Sequence, residues 1–220
     1  MKEGSLKGKV IKAMAKERVL TEKEQKRLDS FNKVSASMEA EGYKKTELTV
    51  NILKANIFAI VLLLAVAVIS IALYVLRFDD LFNGFSTIGN IVFLLVFIAL
   101  IVVHELIHGI GWAISTKTFK VIDFGIMRDS LTPYCTCSQP LSKKQYILGA
   151  ILPLITLGIV PMIIGYLIGS FYTLIMGVMM TSSAAGDILI IRKILKYKSN
   201  AKDIVYMDHP TEAGGVIFER

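Results

Sequence analysis

The chain has 220 residues, of which 54% are hydrophobic, with a mean hydropathy of +0.58 and a formal net charge of +7. That balance excludes an ordinary soluble domain and an intrinsically disordered chain, since both carry far less apolar side chain. Basic residues placed beside apolar spans and facing anionic lipid account for the positive charge, so no nucleic acid is expected as a partner.

The first 55 residues contain 13 Lys and Arg against 8 Asp and Glu. They lack a short apolar run followed by a small-residue cleavage site, so a cleaved signal peptide is not expected. In "LTEKEQKRLDS", Thr21 reads as an N-cap, and Glu24 stands three residues later to complete a capping box. Leu28, Phe31, Val34 and Met38 follow at loosely helical spacing. They predict a solvated cytosolic helix with one weak apolar stripe, or else a helix lying on anionic lipid or against a partner.

Four apolar segments then follow, 56–76, 88–114, 147–168 and 171–191. Each is near the ~20 residues that cross ~30 Å of hydrocarbon as a helix. The connection 77–87 has one Arg and two Asp, the connection 115–146 has five Lys and Arg and two Asp, and the tail from Arg192 has six Lys and Arg and four acids. This asymmetry places both termini and the middle loop in the cytosol of a multi-pass cell-membrane protein.

The middle loop contains "KVIDFGIM" and "YCTCS" around the turn-rich "RDSLTP", which together predict a short β-hairpin. Its edge offers a place to extend a substrate into a strand, with an ordinary connecting hairpin as the simpler reading. Cys135 and Cys137 lie two residues apart in a reducing compartment, so a disulfide is not expected. A structural or incidental role is preferred for them over soft metal ligation. In "GAILPLI", Pro153 is expected to kink the third span and admit water.

The second span holds "VVHELIHGIGW". An ionisable group in hydrocarbon costs several kcal/mol unless it is paired, ligated or neutralised, so two histidines and a glutamate here require an explanation. His104 and His108 are four residues apart and project from one helical face, with Glu105 beside them: this is H-E-x-x-H. In that motif two imidazoles hold Zn²⁺, the metal makes water acidic near neutral pH, and the glutamate takes its proton during attack on a carbonyl. Two other readings stay open: a polar or metal-binding cluster that joins helices without catalysis, and a proton or divalent-ion path.

A catalytic site needs a third ligand. No glutamate occurs between Glu105 and Glu212, and the one later histidine is His209, in a tail whose Pro210 and paired glycines indicate turns and where His209 reads as a surface or capping residue. Asp123, Asp129, Asp203 and Asp208 lie on polar loops. Asp187, in "TSSAAGDILII", is the acid inside a later span, among small residues that permit close helix approach. If spans two and four run the same way, His104 and Asp187 each lie sixteen residues into their span, ~24 Å along the helix, and can meet. An ion pair of Asp187 with Arg192 or Lys193 is the alternative.

The motifs "HELIHGIGW", "FGIMRDSLTPYCTCSQPLSKKQYILGAILPLITLGIVP", "MTSSAAGDILIIRKILK" and "DHPTEAGGVIFE" occur in this order, and from about Asn51 onward the chain resembles a family of zincin-type peptidases of bacterial membranes. More distantly it is similar to the site-2 protease class of intramembrane metalloproteases. That similarity implies His104, His108 and Asp187 as zinc ligands and Glu105 as general base. In the site-2 class the aspartate stands in an Asn/Pro-containing segment ending Leu-Asp-Gly, whereas here Gly186 precedes Asp187 and spans three and four lack asparagine. The expected fold is an all-α membrane protein of four transmembrane helices with a short hairpin between spans two and three. A cytosolic helical region (1–55) precedes the four-span unit (56–195), and a cytosolic tail (196–220) follows it. The expected activity is hydrolysis of a peptide or membrane-protein substrate entering between helices.

Overall fold

The structure is a computed structural model and describes residues 20–78, 85–127 and 132–220. Asp129 and the centre of the expected hairpin turn lie outside the described residues.

Helix α1 (Glu22–Ala40) starts where its capping box predicts. The Thr21 hydroxyl accepts from the Glu24 N–H at 3.2 Å, and the Glu24 carboxylate accepts from the Thr21 N–H at 2.8 Å. Gly42, at φ +88°, turns the chain into β1 (Lys44–Thr49). Near the end of the chain β4 (Ile204–Asp208) and β5 (Gly214–Glu219) join β1 in an antiparallel sheet of order β1-β5-β4. Lys44 pairs with Glu219, and Thr49 with Gly214.

Alternate residues of β5 serve two cores, as the twofold period of a strand requires. Val216 and Phe218, with Met207 and Tyr43, pack against Phe31, Val34 and Met38 of α1. Ile217, with Tyr206, joins Trp112, Tyr146, Leu141 and Ile194 at the helix ends. The apolar stripe of α1 therefore covers the chain's own terminal sheet. The all-α expectation is corrected here: the two ends of the sequence pair across about 170 residues of chain, and strands of five or six residues leave no periodic signal that reveals such a partner.

The apolar segments form α2 (Ile52–Val75), α3 (Thr87–Thr116), a rod made of α4 (Lys143–Pro153), a π-helical stretch (Leu154–Ile159) and α5 (Val160–Ile168), and the pair α6 (Phe171–Ser183) and α7 (Ala185–Lys196). By length and composition three of these are able to cross a membrane, and a fourth counts if the last pair is one span. Leu53, Ile57, Ile60, Leu64 and Val68 on α2 are all exposed, a surface that lipid solvates and water does not. Small residues let the helices touch. A Cβ on Gly165 would lie 2.3 Å from the Leu174 nitrogen, and one on Gly177 2.5 Å from the Met162 nitrogen, which fixes α5 against α6.

At Pro153 the rod stays continuous and passes into the π-helical stretch, where the Val160 N–H reaches back to the Ile155 carbonyl. Span four is not straight, because the chain bends by 49° at Ala184 between α6 and α7. Between α3 and α4 the expected hairpin is present as β2 (Ile122–Met127) and β3 (Thr132–Cys137), with Ile122 opposite Cys137.

Phe218 is fully buried between α1 and the terminal sheet. Phe218→Ala is expected to remove about 3–5 kcal/mol and to release α1 to protease while leaving the apolar helices protected. Limited proteolysis in detergent followed by mass spectrometry reads this out, and an unchanged cleavage pattern would show that α1 is held by other contacts.

Candidate metal centre

His104 and His108 lie four residues apart on α3, both buried, with ring centroids 4.8 Å apart. The His108 Nδ1–H donates to the carbonyl of Gly149 on α4 at 2.9 Å. Within an α-helix that carbonyl would accept from the N–H of residue 153, but residue 153 is proline and has none. The missing bond frees the acceptor. Gly149 also lets α4 come close enough to use it: a Cβ there would lie 2.1 Å from Trp112 Nε1, and a Cβ on Gly111 would lie 2.8 Å from the Gly149 Cα. The indole of Trp112 stacks on His108 at 5.5 Å and donates its Nε1–H to the Tyr146 carbonyl at 3.2 Å. A carbonyl only accepts, so Nδ1 of His108 carries a proton, and in the neutral ring Nε2 is then left with a lone pair that a cation can engage.

Asp187 completes the group. The bend at Ala184 puts it in the first turn of α7, where the helix dipole favours an acid. Its Oδ2 lies 3.2 Å from His104 Nε2 and its Oδ1 3.4 Å from His108 Nε2, and the two Nε2 atoms are 3.1 Å apart. Lys193, a partner considered above, instead donates to the Thr49 carbonyl. Adjacent ligands of a tetrahedral site with bonds of about 2.0–2.1 Å are about 3.3 Å apart, so these separations suit one small cation. The chemistry suits it too. Two imidazole nitrogens facing each other, one already a lone pair, can share a single proton at most, whereas a divalent cation engages both and the carboxylate together. His104 Nδ1 is buried without a hydrogen-bond partner among the described residues. Two nitrogens and one carboxylate are the donor set of a catalytic zinc site with an open fourth position.

Glu105 is half-buried and lines the same cleft, of ≈ 210 Å³. Its carboxylate lies near the backbone N–H of Cys135 on β3. Two residues on, the Cys137 N–H donates to Asp208 Oδ2 at 2.7 Å, and the Tyr146 hydroxyl donates to Asp208 Oδ1 at 2.6 Å. Alternate N–H groups of a strand face alternate sides, so these two belong to the edge of β3 turned away from β2, where Pro133 has no N–H to offer. On the edge considered for a substrate strand, the Cys137 N–H is thus taken by one of the chain's own carboxylates, and a second, Glu105, lies near the Cys135 N–H. Both thiols are free and buried; burial pushes the Cys137 thiol up to about 11 and that of Cys135 further still, which leaves them protonated and poor ligands at neutral pH.

The remaining walls come from segments the sequence reading kept apart from the chemistry. Asp208 and the tail turn 209–214 lie over the cleft, and Arg27 reaches it from α1. The Arg27 guanidinium stacks on Tyr134 of β3 at 4.3 Å, and its Nε–H donates to the Pro210 carbonyl. His209 caps this turn, its Nδ1 accepting from the Glu212 N–H at 2.9 Å and the Thr211 N–H at 3.3 Å. The motif "DHPTEAGG" was the available signal: an acid and a histidine before a turn with paired glycines.

Residues 97–202 match the model of a family described as "Putative zincin peptidase". The matched stretch contains His104, Glu105, His108, the hairpin, Pro153 and Asp187, whereas α1, α2 and the tail turn fall outside it. No curated protein and no solved structure matches the chain.

Pro153→Ala restores an N–H that competes for the Gly149 carbonyl. Loss of such a partner costs a ligand roughly 10–100-fold in metal affinity, so chelator competition is expected to show zinc held at least about tenfold more weakly. Equal affinity would dismiss the freed carbonyl as an anchor. Asp208 gives a pH signature. Burial raises its carboxyl to about 6, with the Tyr146 hydroxyl and Cys137 N–H offsetting part of the rise. Between about 4, the unfolded value, and 6 the folded chain binds this proton more tightly than the unfolded chain, so the contribution of Asp208 to stability falls as pH rises. The Tm of the native protein minus that of Asp208→Asn is expected to decline from pH 4 to 6 and then level; a flat difference would count against this assignment.

Proposed function

We propose, from the family match and the geometry it falls on, that this protein is a zinc-dependent peptidase seated in a cell membrane as a multi-pass bundle with both termini cytosolic. One observation carries the reading. Two imidazole nitrogens and a carboxylate oxygen lie within 4.8 Å of one another beside a glutamate, among helices of membrane-spanning length. His104, His108 and Asp187 would hold the zinc. When bound, it supplies Lewis acidity and a nucleophile at neutral pH.

The residues of the chain do the rest. Asp187 and the Gly149-anchored His108 fix the donor set without rearrangement. Glu105 lies in the same cleft, with the Cys135 N–H near its carboxylate. Glu105 then accepts the proton of the attacking water and passes it to the departing amine nitrogen, so that proton uptake and release balance over one hydrolysis. The apolar helix surface favours a substrate that is itself lipid-embedded, and the arrangement of basic residues favours contact with anionic lipid.

In detergent, with a pooled library of quenched fluorogenic peptides, Glu105→Gln is expected to lower turnover by about 10²–10⁴-fold while retaining zinc. His104→Ala and Asp187→Ala are expected to lose both. Full activity in Glu105→Gln would remove Glu105 as the base. Zinc held by a native protein that cleaves nothing would favour a non-catalytic metal-binding role.

A further inference from the structure

Outside the metal centre, the described residues enclose a second polar feature where α2 begins and α7 ends. A cavity of ≈ 750 Å³ is lined by Lys54 in the first turn of α2 and by Arg192, Lys193 and Lys196 in the closing turns of α7. Arg192 and Lys196 are four residues apart and share one helical face. All four cations are exposed, and none forms an ion pair with a carboxylate among the described residues. Lys193 donates to the Thr49 carbonyl and so closes one wall. The one acid on the rim is Glu212, exposed on the tail turn.

Two further observations narrow what such a cluster binds. The cavity sits at the N-terminus of a 24-residue helix, whose cap, Asn51, satisfies the Lys54 N–H and leaves other first-turn N–H groups available to an anion. Besides Thr49 and Asn51, its other lining is apolar, from Leu48, Val50, Leu189 and Tyr197, and exposed apolar side chains neighbour the cations along the same helices, Leu53 and Ile57 beside Lys54 on α2 and Leu195 beside Lys196 on α7. A soluble anion needs no apolar wall, and unpaired cations next to lipid-facing helix ends suit an amphiphile. We infer that this cavity is a binding site for one anionic glycerophospholipid, its phosphate held by Lys54, Arg192 and Lys196 at the α2 N-terminus and its acyl chains lying along α2 and α7. The inference rests on the membrane embedding proposed above and is independent of the peptidase reading. Because Glu212 lines both this cavity and the catalytic cleft, the headgroup site and the roof of the metal centre share a wall.

The test uses the full chain in nanodiscs of phosphatidylcholine with a minor fraction of phosphatidylglycerol, followed by native mass spectrometry after graded delipidation. The native protein is expected to retain one phosphatidylglycerol per chain. The triple variant K54Q/R192Q/K196Q is expected to retain it at least about tenfold less, whereas K117Q/K120Q/K144Q, which removes the same charge from other exposed positions, retains it fully. Millimolar inorganic phosphate is expected to leave the lipid in place. Equal retention of the two lipids, equal loss in both triple variants, or displacement by inorganic phosphate would each overturn the site. Failure of the native protein to enter nanodiscs would instead refute the membrane embedding. A matching melting profile for the two triple variants without phosphatidylglycerol confirms that neither has lost its fold, and a lower one for K54Q/R192Q/K196Q moves the comparison to the single variants, among which at least Arg192→Gln must lower retention for the site to stand.

Discussion

The His108 Nδ1–H finds its acceptor in a carbonyl that a proline has left unpaired, and the candidate metal centre is organised around that bond. In a continuous helix the Gly149 carbonyl would be bonded within its own turn and unavailable to a side chain from α3. Pro153 withholds the donor, Gly149 removes the Cβ that would hold α4 away from Trp112, and the π-helical stretch carries the rod on toward Ile168. A defect that would ordinarily cost a helix about 3 kcal/mol here fixes an imidazole in one tautomer and one orientation. Such a contact is what keeps a ligand set in place when its groups lie among apolar helices, where water is scarce as an alternative partner.

The second organising feature is the way the segments flanking the apolar helices close over the first. β1 and β5 join the beginning of the chain to its end, and β4 delivers Asp208 to the free edge of β3. Asp208 thereby touches three elements at once, holding the Cys137 N–H of the hairpin and the Tyr146 hydroxyl of α4 from its place on the tail. Tyr146 in turn receives the Trp112 indole, which stacks on His108. The tail is therefore coupled to the ligand set through packed and hydrogen-bonded groups. The Arg27 contacts with Tyr134 and Pro210 extend the same closure to α1.

Polar groups in this bundle are arranged so that nearly every one has an assigned partner. Asp208 takes the Cys137 N–H of the β3 edge, Asp187 faces both histidines, and Lys193 reaches a main-chain carbonyl. Among the described residues of the apolar helices, His104 Nδ1 and the Thr181 hydroxyl are buried without one. The cations at the ends of α2 and α7, which form no ion pair with a carboxylate among the described residues, stand apart from this pattern.

How much of this was legible follows from the range of each interaction. The apolar spans, the α1 capping box, the hairpin and the i, i+4 histidines are set by residues within a few turns of one another, and the sequence by itself determined them through periodicity, capping and hydrophobic length. Asp187 was reachable because acids inside apolar spans are scarce, although the straight-helix depth argument did not foresee the bend at Ala184 that places it. The terminal sheet, the role of Asp208, the approach of Arg27 and the pairing of Pro153 with His108 through Gly149 belong to tertiary structure alone. Each depends on which distant segment arrives beside which. A short strand, a lone acid or a proline in a helix has many admissible partners, and only the packing of the whole bundle selects one.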